Sequence, residues 1–144
     1  MVKVDTLFSR YSKMATDVLL HEDDELRIVQ RSVLGRCVLS FHGPITFKAR
    51  RPFQEAVAKL RTQGFRSLIL HLTEVSFVDS AALALITLTW RDWKKASLVV
   101  VIAHPSPQVK ELLHLSNIHK LVPIFGSLQE AITSIPVGDP PSTA

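Results

Sequence analysis

The residues best placed to do chemistry in this sequence are Asp79 and Ser80, which stand between an apolar stretch and a helical one. An Asp or Ser side chain at the start of a helix accepts a hydrogen bond from an otherwise unpaired backbone N–H. The aspartate also complements the positive end of the helix dipole. Capping the helix is therefore a sufficient structural reason for both residues.

A second interpretation of Asp79 and Ser80 starts from the same geometry. A phosphate on Ser80 would face free backbone N–H groups and the positive end of the helix. It would add about two negative charges beside Asp79, where a neighbouring protein would feel them. One modification could then switch the docking of a partner off by repulsion.

Motifs of the common enzyme and cofactor classes are absent from the sequence. The 5 glycines are isolated, so there is no phosphate-binding loop, and no Gly-x-Ser-x-Gly elbow occurs. None of the 6 histidines has another three or four residues away, the spacing that places two metal ligands on one helix face. Cys37 is the single cysteine and has no partner for a disulfide. We therefore expect no catalysis, no cofactor and no bound metal.

Length and composition indicate one ordinary globular domain. The chain has 144 residues, of which 47% are hydrophobic and 21% charged. Charged residues interrupt the N-terminal stretch, and no apolar run reaches the roughly 18 residues that a membrane span needs. With a single cysteine, which fits a reducing compartment, this predicts a cytoplasmic protein.

The net charge of +4 does not by itself indicate a nucleic-acid partner. The basic residues are scattered along the chain, mostly beside apolar residues at helical spacing, as on solvated helix faces. No aromatic stacking platform or base-reading motif accompanies them. We therefore expect no nucleic-acid binding.

Hydrophobic periodicity predicts the element order ββαβαβαβα, which is an α/β fold with a mixed, mainly parallel sheet of about five strands and about four helices. Continuous apolar runs such as residues 67–72 are typical of central parallel strands covered by helices. The predicted strands are residues 26–33, 37–41, 67–72, 97–103 and 121–125, and the predicted helices are residues 53–63, 81–95, 107–116 and 128–135.

Two polar positions and the chain ends complete this prediction. Thr46 is a plausible N-cap for the first helix, and Pro52 should distort that helix or delay its start. The predicted domain spans residues 26–135. Residues 1–25 are an N-terminal extension, in which residues 7–20 form either a short helix or a loose segment. Residues 136–144, with three prolines, are predicted to be disordered.

The predicted second helix carries more apolar residues than one buried stripe requires. Residues 81–90 leave hardly any polar face in its first two turns. Either a partner or a second copy covers the surplus, or the N-terminal 25 residues fold over it.

Three segments, together with the element order, resemble the STAS domain family, which is shared by bacterial anti-sigma-factor antagonists and sulfate-transporter tails. They are residues 68–83 (LILHLTEVSFVDSAAL), residues 106–118 (SPQVKELLHLSNI) and, more weakly, residues 125–132 (FGSLQEAI). The resemblance covers about residues 26–135. It implies a bacterial regulatory, non-enzymatic fold that works through protein–protein interaction in signalling and transcription regulation.

The resemblance also implies a role for the serine identified above. In the antagonists, the serine after the motif aspartate is phosphorylated by a serine-kinase anti-sigma factor, and the unphosphorylated form binds that kinase. The matching position is Ser80. The implied partner-binding residues are Asp79, Ala81, Ala82 and Leu83, with Thr46 beside them, and any nucleotide belongs to the kinase partner.

This sequence departs from the family pattern at three places. Ala81 and Ala82 follow the key serine, where the family often has Ser or Thr and then Gly. His71 replaces a usual aspartate, and Pro44 and Thr46 stand where an acidic pair is common.

Two alternatives remain open from the sequence. The first is a regulatory subunit of a membrane transporter, because residues 43–47 have some likeness to the sulfate-transporter version and the basic charge suits an anionic membrane surface. The second is a scaffold protein of a stress-signalling complex, in which self-association matters most.

Overall fold

The strands form a six-stranded sheet whose order in space follows the order along the chain. The computed structural model describes residues 17–135. The strands are β1 (Val18–Glu22), β2 (Arg27–Val33), β3 (Arg36–His42), β4 (Ser67–Glu74), β5 (Val99–Ala103) and β6 (Ile124–Phe125). The α-helices are α1 (Arg50–Thr62), α2 (Ser80–Lys95), α3 (Pro107–Leu115) and α4 (Leu128–Ser134).

The sheet is mixed, as the sequence predicts. Strands β1, β2 and β3 pair antiparallel, and β3 to β6 pair parallel. The first two strands of the predicted order, β2 and β3, form a hairpin. Its two-residue turn places Leu34 at φ 52° and Gly35 at φ 79°, and a turn with two positive φ angles matches the twist of the flanking strands.

The sixth strand, β1, lies within the segment that the sequence assigned to an N-terminal extension. Val18–Glu22 is extended and pairs with β2, so the helical alternative is wrong for residues 18–20. An edge strand buries little surface, so β1 has exposed residues such as Leu19. It therefore lacks the apolar pattern that predicts a strand. The rest of the extension, residues 1–16, and the predicted disordered tail, residues 136–144, lie outside the described residues.

One face of the sheet carries the larger core. Leu39 of β3, Leu70 of β4 and Ile102 of β5 point to this face and are fully buried. Helices α1, α2 and α3 cover it with residues such as Phe53, Ile86, Trp93, Val109 and Leu113. We call this the first face. Sequential parallel strands joined by right-handed crossovers place their connecting helices on one side, which explains this cover.

The opposite, second face has a smaller core beneath α4. Val38, Ile69 and Val101 are neighbours across three strands and bury their side chains against Ala131 and Ile132 of α4. Since α4 has only seven residues, it covers only part of this face.

Two boundaries differ from the predictions for physical reasons. A 3-10 turn over Phe47–Ala49 precedes α1, so Pro52 falls in the first turn of the helix, where a missing N–H is tolerated. The final strand is only Ile124–Phe125, because another 3-10 turn, Ile118–Lys120, and Pro123 occupy the preceding positions. Pro123 has no N–H for the sheet, although its carbonyl accepts from the Ile102 N–H at 2.9 Å.

Candidate functional site

The candidate site lies where two loops run side by side at the end of β4. Ile45 forms an isolated parallel bridge with Val78. The Ile45 N–H donates to the Phe77 carbonyl at 2.9 Å, and the Asp79 N–H donates to the Ile45 carbonyl at 3.3 Å. These backbone bonds fix the position of the serine that follows.

Asp79 ties the start of α2 to the neighbouring loop. Its Oδ1 accepts from the Ala82 N–H at 2.9 Å, which confirms the prediction that this junction caps the helix. Its Oδ2 accepts from the Phe47 N–H at 2.9 Å. A single carboxylate therefore joins two segments 32 residues apart.

Ser80 is the first residue of α2, and it is exposed. The Asp79 carboxylate accepts from the Ala82 N–H, and the Asp79 carbonyl accepts from the Leu83 N–H. Asp79 therefore does not bind the first two N–H groups of the helix, those of Ser80 and Ala81. Within residues 17–135, no acceptor meets the N–H of Ser80 or of Ala81. The hydroxyl therefore stands at an accessible, positively polarised helix end.

Two exposed phenylalanines lie in the loops that hold Asp79. Phe47 is 65% exposed and Phe77 is 50% exposed. Exposed aromatic side chains are typical of surfaces that bind another protein. Sequence reasoning missed both. The available signal at Phe47 was a large aromatic residue between polar neighbours, whereas Phe77 has a polar neighbour on one side only, Ser76.

The predicted partner-binding residues do not all reach the surface. Ala81, Leu83 and Thr46 are half-buried, and the Thr46 hydroxyl accepts from the Lys48 N–H at 3.3 Å as the cap of the 3-10 turn. Ala82 is fully buried in the core, so its predicted contact with a partner is corrected. Its small side chain packs beneath α2, because the third residue after the cap faces the sheet.

Helix α2 buries most of its surplus apolar residues against the first face. Leu85, Ile86 and Trp93 are buried, whereas Leu88 is 42% exposed above a groove between α1 and α2. Residues 18–22 form an edge strand and do not cover α2. None of the helices described within residues 17–135 combines the length and apolarity needed to cross a membrane.

The model of the STAS domain family matches residues 26–131 of this chain. The chain belongs to the STAS domain family. The sequence resemblance is thereby confirmed, and the fold agrees with it apart from the additional strand. As a STAS domain, the chain has a regulatory fold.

Solved structures with the same fold come from two functional settings. An anti-sigma factor antagonist from Mycobacterium paratuberculosis is 21% identical, with a TM-score of 0.72 over 81% of this chain and 98% of that one. The Bacillus cell fate determinant SpoIIAA in its phosphorylated form is 18% identical, with a TM-score of 0.56 over 83% and 98% of the two chains. A sulfate transporter family protein from Wolinella succinogenes is 13% identical, with a TM-score of 0.62 over 70% and 84%.

The departures from the usual STAS pattern fall on different sides of the sheet. Pro44, Thr46, Ala81 and Ala82 belong to the loops and helix around Ser80. His71 points to the second face, where its imidazole hydrogen-bonds Ser40 and Thr73. The exchange at His71 therefore changes a surface that the Ser80 site does not use.

Proposed function

We propose that this STAS domain is a bacterial, cytoplasmic anti-sigma-factor antagonist whose docking is switched by phosphorylation of Ser80. Its partner in this proposal is a serine-kinase anti-sigma factor. The single observation that carries the proposal is the exposed Ser80 hydroxyl at the tip of α2, beside a capping aspartate. The antagonist relatives support the choice of partner class.

The exposed aromatic residues supply the attractive part of the interface. Phe47 and Phe77 lie in the two loops that meet at Asp79, and each leaves half or more of its surface in water. Burying such rings against a partner supplies a large part of the free energy of docking. The unphosphorylated domain is the binding form.

The phosphate supplies the repulsive part. It would be held at the helix end by the N–H groups of Ser80 and Ala81, so that the fold tolerates it. Beside the Asp79 carboxylate, the added dianion would oppose burial of the aromatic residues, because charges at an interface must be paired or desolvated at high cost.

A pull-down with matched serine variants tests this function. The baits are the wild-type chain, Ser80→Ala, Ser80→Asp and a control, Ser76→Asp. Ser76 is an exposed serine in the same loop, four positions before Ser80. Recovered proteins are identified by mass spectrometry, and the phosphorylated position is mapped in the chain purified from its native cells.

The expected result is that wild type, Ser80→Ala and Ser76→Asp recover the same kinase, whereas Ser80→Asp loses it and Ser80 carries the phosphate. Equal recovery by all four baits, or phosphate found only elsewhere, would overturn the proposal.

The transporter alternative has its own support in the transporter relative. In that function the domain regulates a membrane transporter, and Ser80 only starts the helix. The same pull-down from detergent-solubilised membranes distinguishes the two. Recovery of a permease with all four baits would favour the transporter.

A further inference from the structure

Helices α1 and α2 leave a groove between them above the first face of the sheet. Both helices return the chain between neighbouring parallel strands, so they lie side by side and run in the same direction. Residues 54–62 of α1 and 85–93 of α2 line the groove, whose volume is about 720 Å³. At about 1.5 Å per residue, each of these stretches is about 12 Å long. The groove therefore has room for about two turns of a third helix.

The floor of the groove is apolar. Val57, Leu85 and Trp93 are buried at its base. Ala58 on α1 and Leu88 on α2 also line it, and both are exposed. An apolar ridge laid between the two helices would remove this remaining surface from water.

The fold concentrates positive charge on the layer that α1 and α2 form. The two helices together carry only two carboxylates, Glu55 and Asp92, and Glu55 is already paired with Arg51 at 3.1 Å. Against them stand seven cationic side chains, which are Arg50, Arg51, Lys59, Arg61, Arg91, Lys94 and Lys95. This layer is therefore more positive than the chain as a whole, which has a net charge of +4.

Two of these cations line the groove itself. The guanidinium carbon of Arg61 lies 5.7 Å from the centroid of the Trp93 ring, and Arg91 lines the opposite side. In the part of the chain that the structure describes, neither arginine is ion-paired with a carboxylate, and Asp92 has no cationic partner. The groove thus combines an apolar floor with unpaired positive charge.

We propose that this groove docks an acidic amphipathic helix of another protein. The apolar side of that helix packs on Ala58 and Leu88, and carboxylates on its flanks pair with Arg61 and Arg91. The inference does not rest on the Ser80 switch, because Leu88 lies two turns of α2 beyond Ser80.

The segments of this chain that lie outside the described residues match the groove less well. Residues 1–16 contain three cationic side chains and one carboxylate, so their charge of +2 has the same sign as the groove. Residues 136–144 follow α4, which packs on the second face, on the other side of the sheet.

A second copy of the chain also lacks the complementary charge. A symmetric dimer through this face would place two positive layers against each other. The acidic run of the chain, residues 22–25, is already engaged, since Asp23 bonds His21 and Glu25 bonds Lys48. Charge complementarity therefore favours a different, acidic protein.

Two synthetic peptides of about 16 residues serve as probes. Both carry leucine at positions i, i+3, i+4 and i+7 among alanines, and they differ only in having glutamate or lysine on the flanks. Each is titrated into the full chain and followed by tryptophan fluorescence and amide NMR. Trp90 and Trp93 are the only tryptophans of the chain and both lie on α2, so their fluorescence reports on this layer.

We expect the acidic peptide to saturate the signal and to bind at least roughly tenfold more tightly than the basic peptide. Its amide shifts should centre on residues 54–62 and 85–93, and added salt should weaken the binding because exposed ion pairs are screened. Binding that does not saturate, or equal affinity of the two peptides, would overturn the proposal.

Three charge variants locate the site. Leu88→Glu and Arg91→Glu change exposed side chains that the fold does not need, and each should weaken binding of the acidic peptide about tenfold or more. Lys120→Glu makes the same charge change as Arg91→Glu outside this layer, and should bind within about twofold of wild type. Wild-type affinity in Leu88→Glu or Arg91→Glu, or an equal loss in Lys120→Glu, would refute a groove at this place.

Two further measurements separate this inference from its rivals. Ser80→Asp should bind the acidic peptide within about twofold of wild type, since Ser80 lies about 12 Å from Leu88 along the helix. A large loss in this variant would place the peptide on the Ser80 surface instead. Sedimentation of the chain alone tests the second copy, because a dimer that Leu88→Glu dissociates would assign the groove to self-association and overturn the proposal.

Discussion

The two faces of the sheet are built from the same strands but serve different purposes. On the first face, alternate residues of β3, β4 and β5 are apolar along the whole strand and lie beneath three helices. On the second, the apolar row of Val38, Ile69 and Val101 lies beneath α4, and the next row holds Ser40 and His71 beside the buried Ala103. The length of the helical cover thus determines where a parallel strand can carry polar side chains.

The largest difference between the faces should appear on truncating neighbouring residues of β4. Leu70→Ala removes a fully buried side chain beneath α1 and α2, and should cost about 3–4 kcal/mol of unfolding free energy. Ile69→Ala on the other face should cost about 2–3 kcal/mol, because the short helix α4 can shift towards the cavity. Urea denaturation measures both. A larger loss for Ile69→Ala would contradict this account of the two cores.

The N-caps of α2 and α4 should show a smaller difference in unfolding free energy between the two faces. Asp79→Ala removes both the Ala82 bond and the Phe47 bond, so it should cost about 2 kcal/mol. Ser127→Ala removes the cap of α4, where the Ser127 hydroxyl accepts from the Glu130 N–H at 3.1 Å, and should cost about 1 kcal/mol.

Thermal or urea unfolding of these cap variants gives the values. The Phe47 amide should also lose hydrogen-exchange protection in Asp79→Ala only. Equal losses of unfolding free energy in the two variants, with unchanged hydrogen exchange at the Phe47 amide, would contradict this account. They would show that the bond between Asp79 and Phe47 contributes nothing to stability.

A third effect, graded with pH, belongs to the second face alone. The pKa of His71 is lowered from 6.5 to about 4 by burial and by its cationic neighbours. The unfolded chain therefore takes up the proton first, and stability present above about pH 6.5 is lost as the pH falls towards 4. His71→Gln should flatten this part of the stability profile. A wild-type profile that is flat between these pH values would contradict a buried neutral His71.

The smallest stability effect is expected at the candidate switch itself. Ser80 is exposed at the first position of α2, so Ser80→Asp should change the unfolding free energy by no more than about 0.5 kcal/mol. Its effect on docking should nevertheless be large. Thermal unfolding of Ser80→Asp beside Ser76→Asp makes the comparison, and strong destabilisation of Ser80→Asp would show that the serine has a structural role.

Local patterns in the sequence were sufficient to predict the elements that position Ser80. The continuous apolar run of β4, the change to helical spacing after it, and Asp79 as the cap all depend on neighbours within a few residues. The Leu34–Gly35 turn was predictable for the same reason. The STAS resemblance covered nearly the same residues as the family match.

What the sequence did not reveal depends on segments that meet only in the fold. Strand β1 is exposed at an edge and has no clear alternation. The bond from the Phe47 N–H to Asp79 joins residues 32 positions apart, and exposure of Phe77 depends on the loop that runs beside it. The hydrogen bonds of His71 with Ser40 and of Thr73 with His104 each join residues 31 positions apart, so no periodicity within β4 predicts them.

The central claim is that negative charge on Ser80 prevents docking while the fold persists. Its most direct test is the affinity of the recovered partner for the purified chain, phosphorylated or unphosphorylated at Ser80, measured by calorimetry with circular dichroism as the control for folding. We expect at least roughly tenfold weaker binding of the phosphorylated chain, equivalent to about 1.4 kcal/mol. Equal affinity of two equally folded forms would contradict the claim.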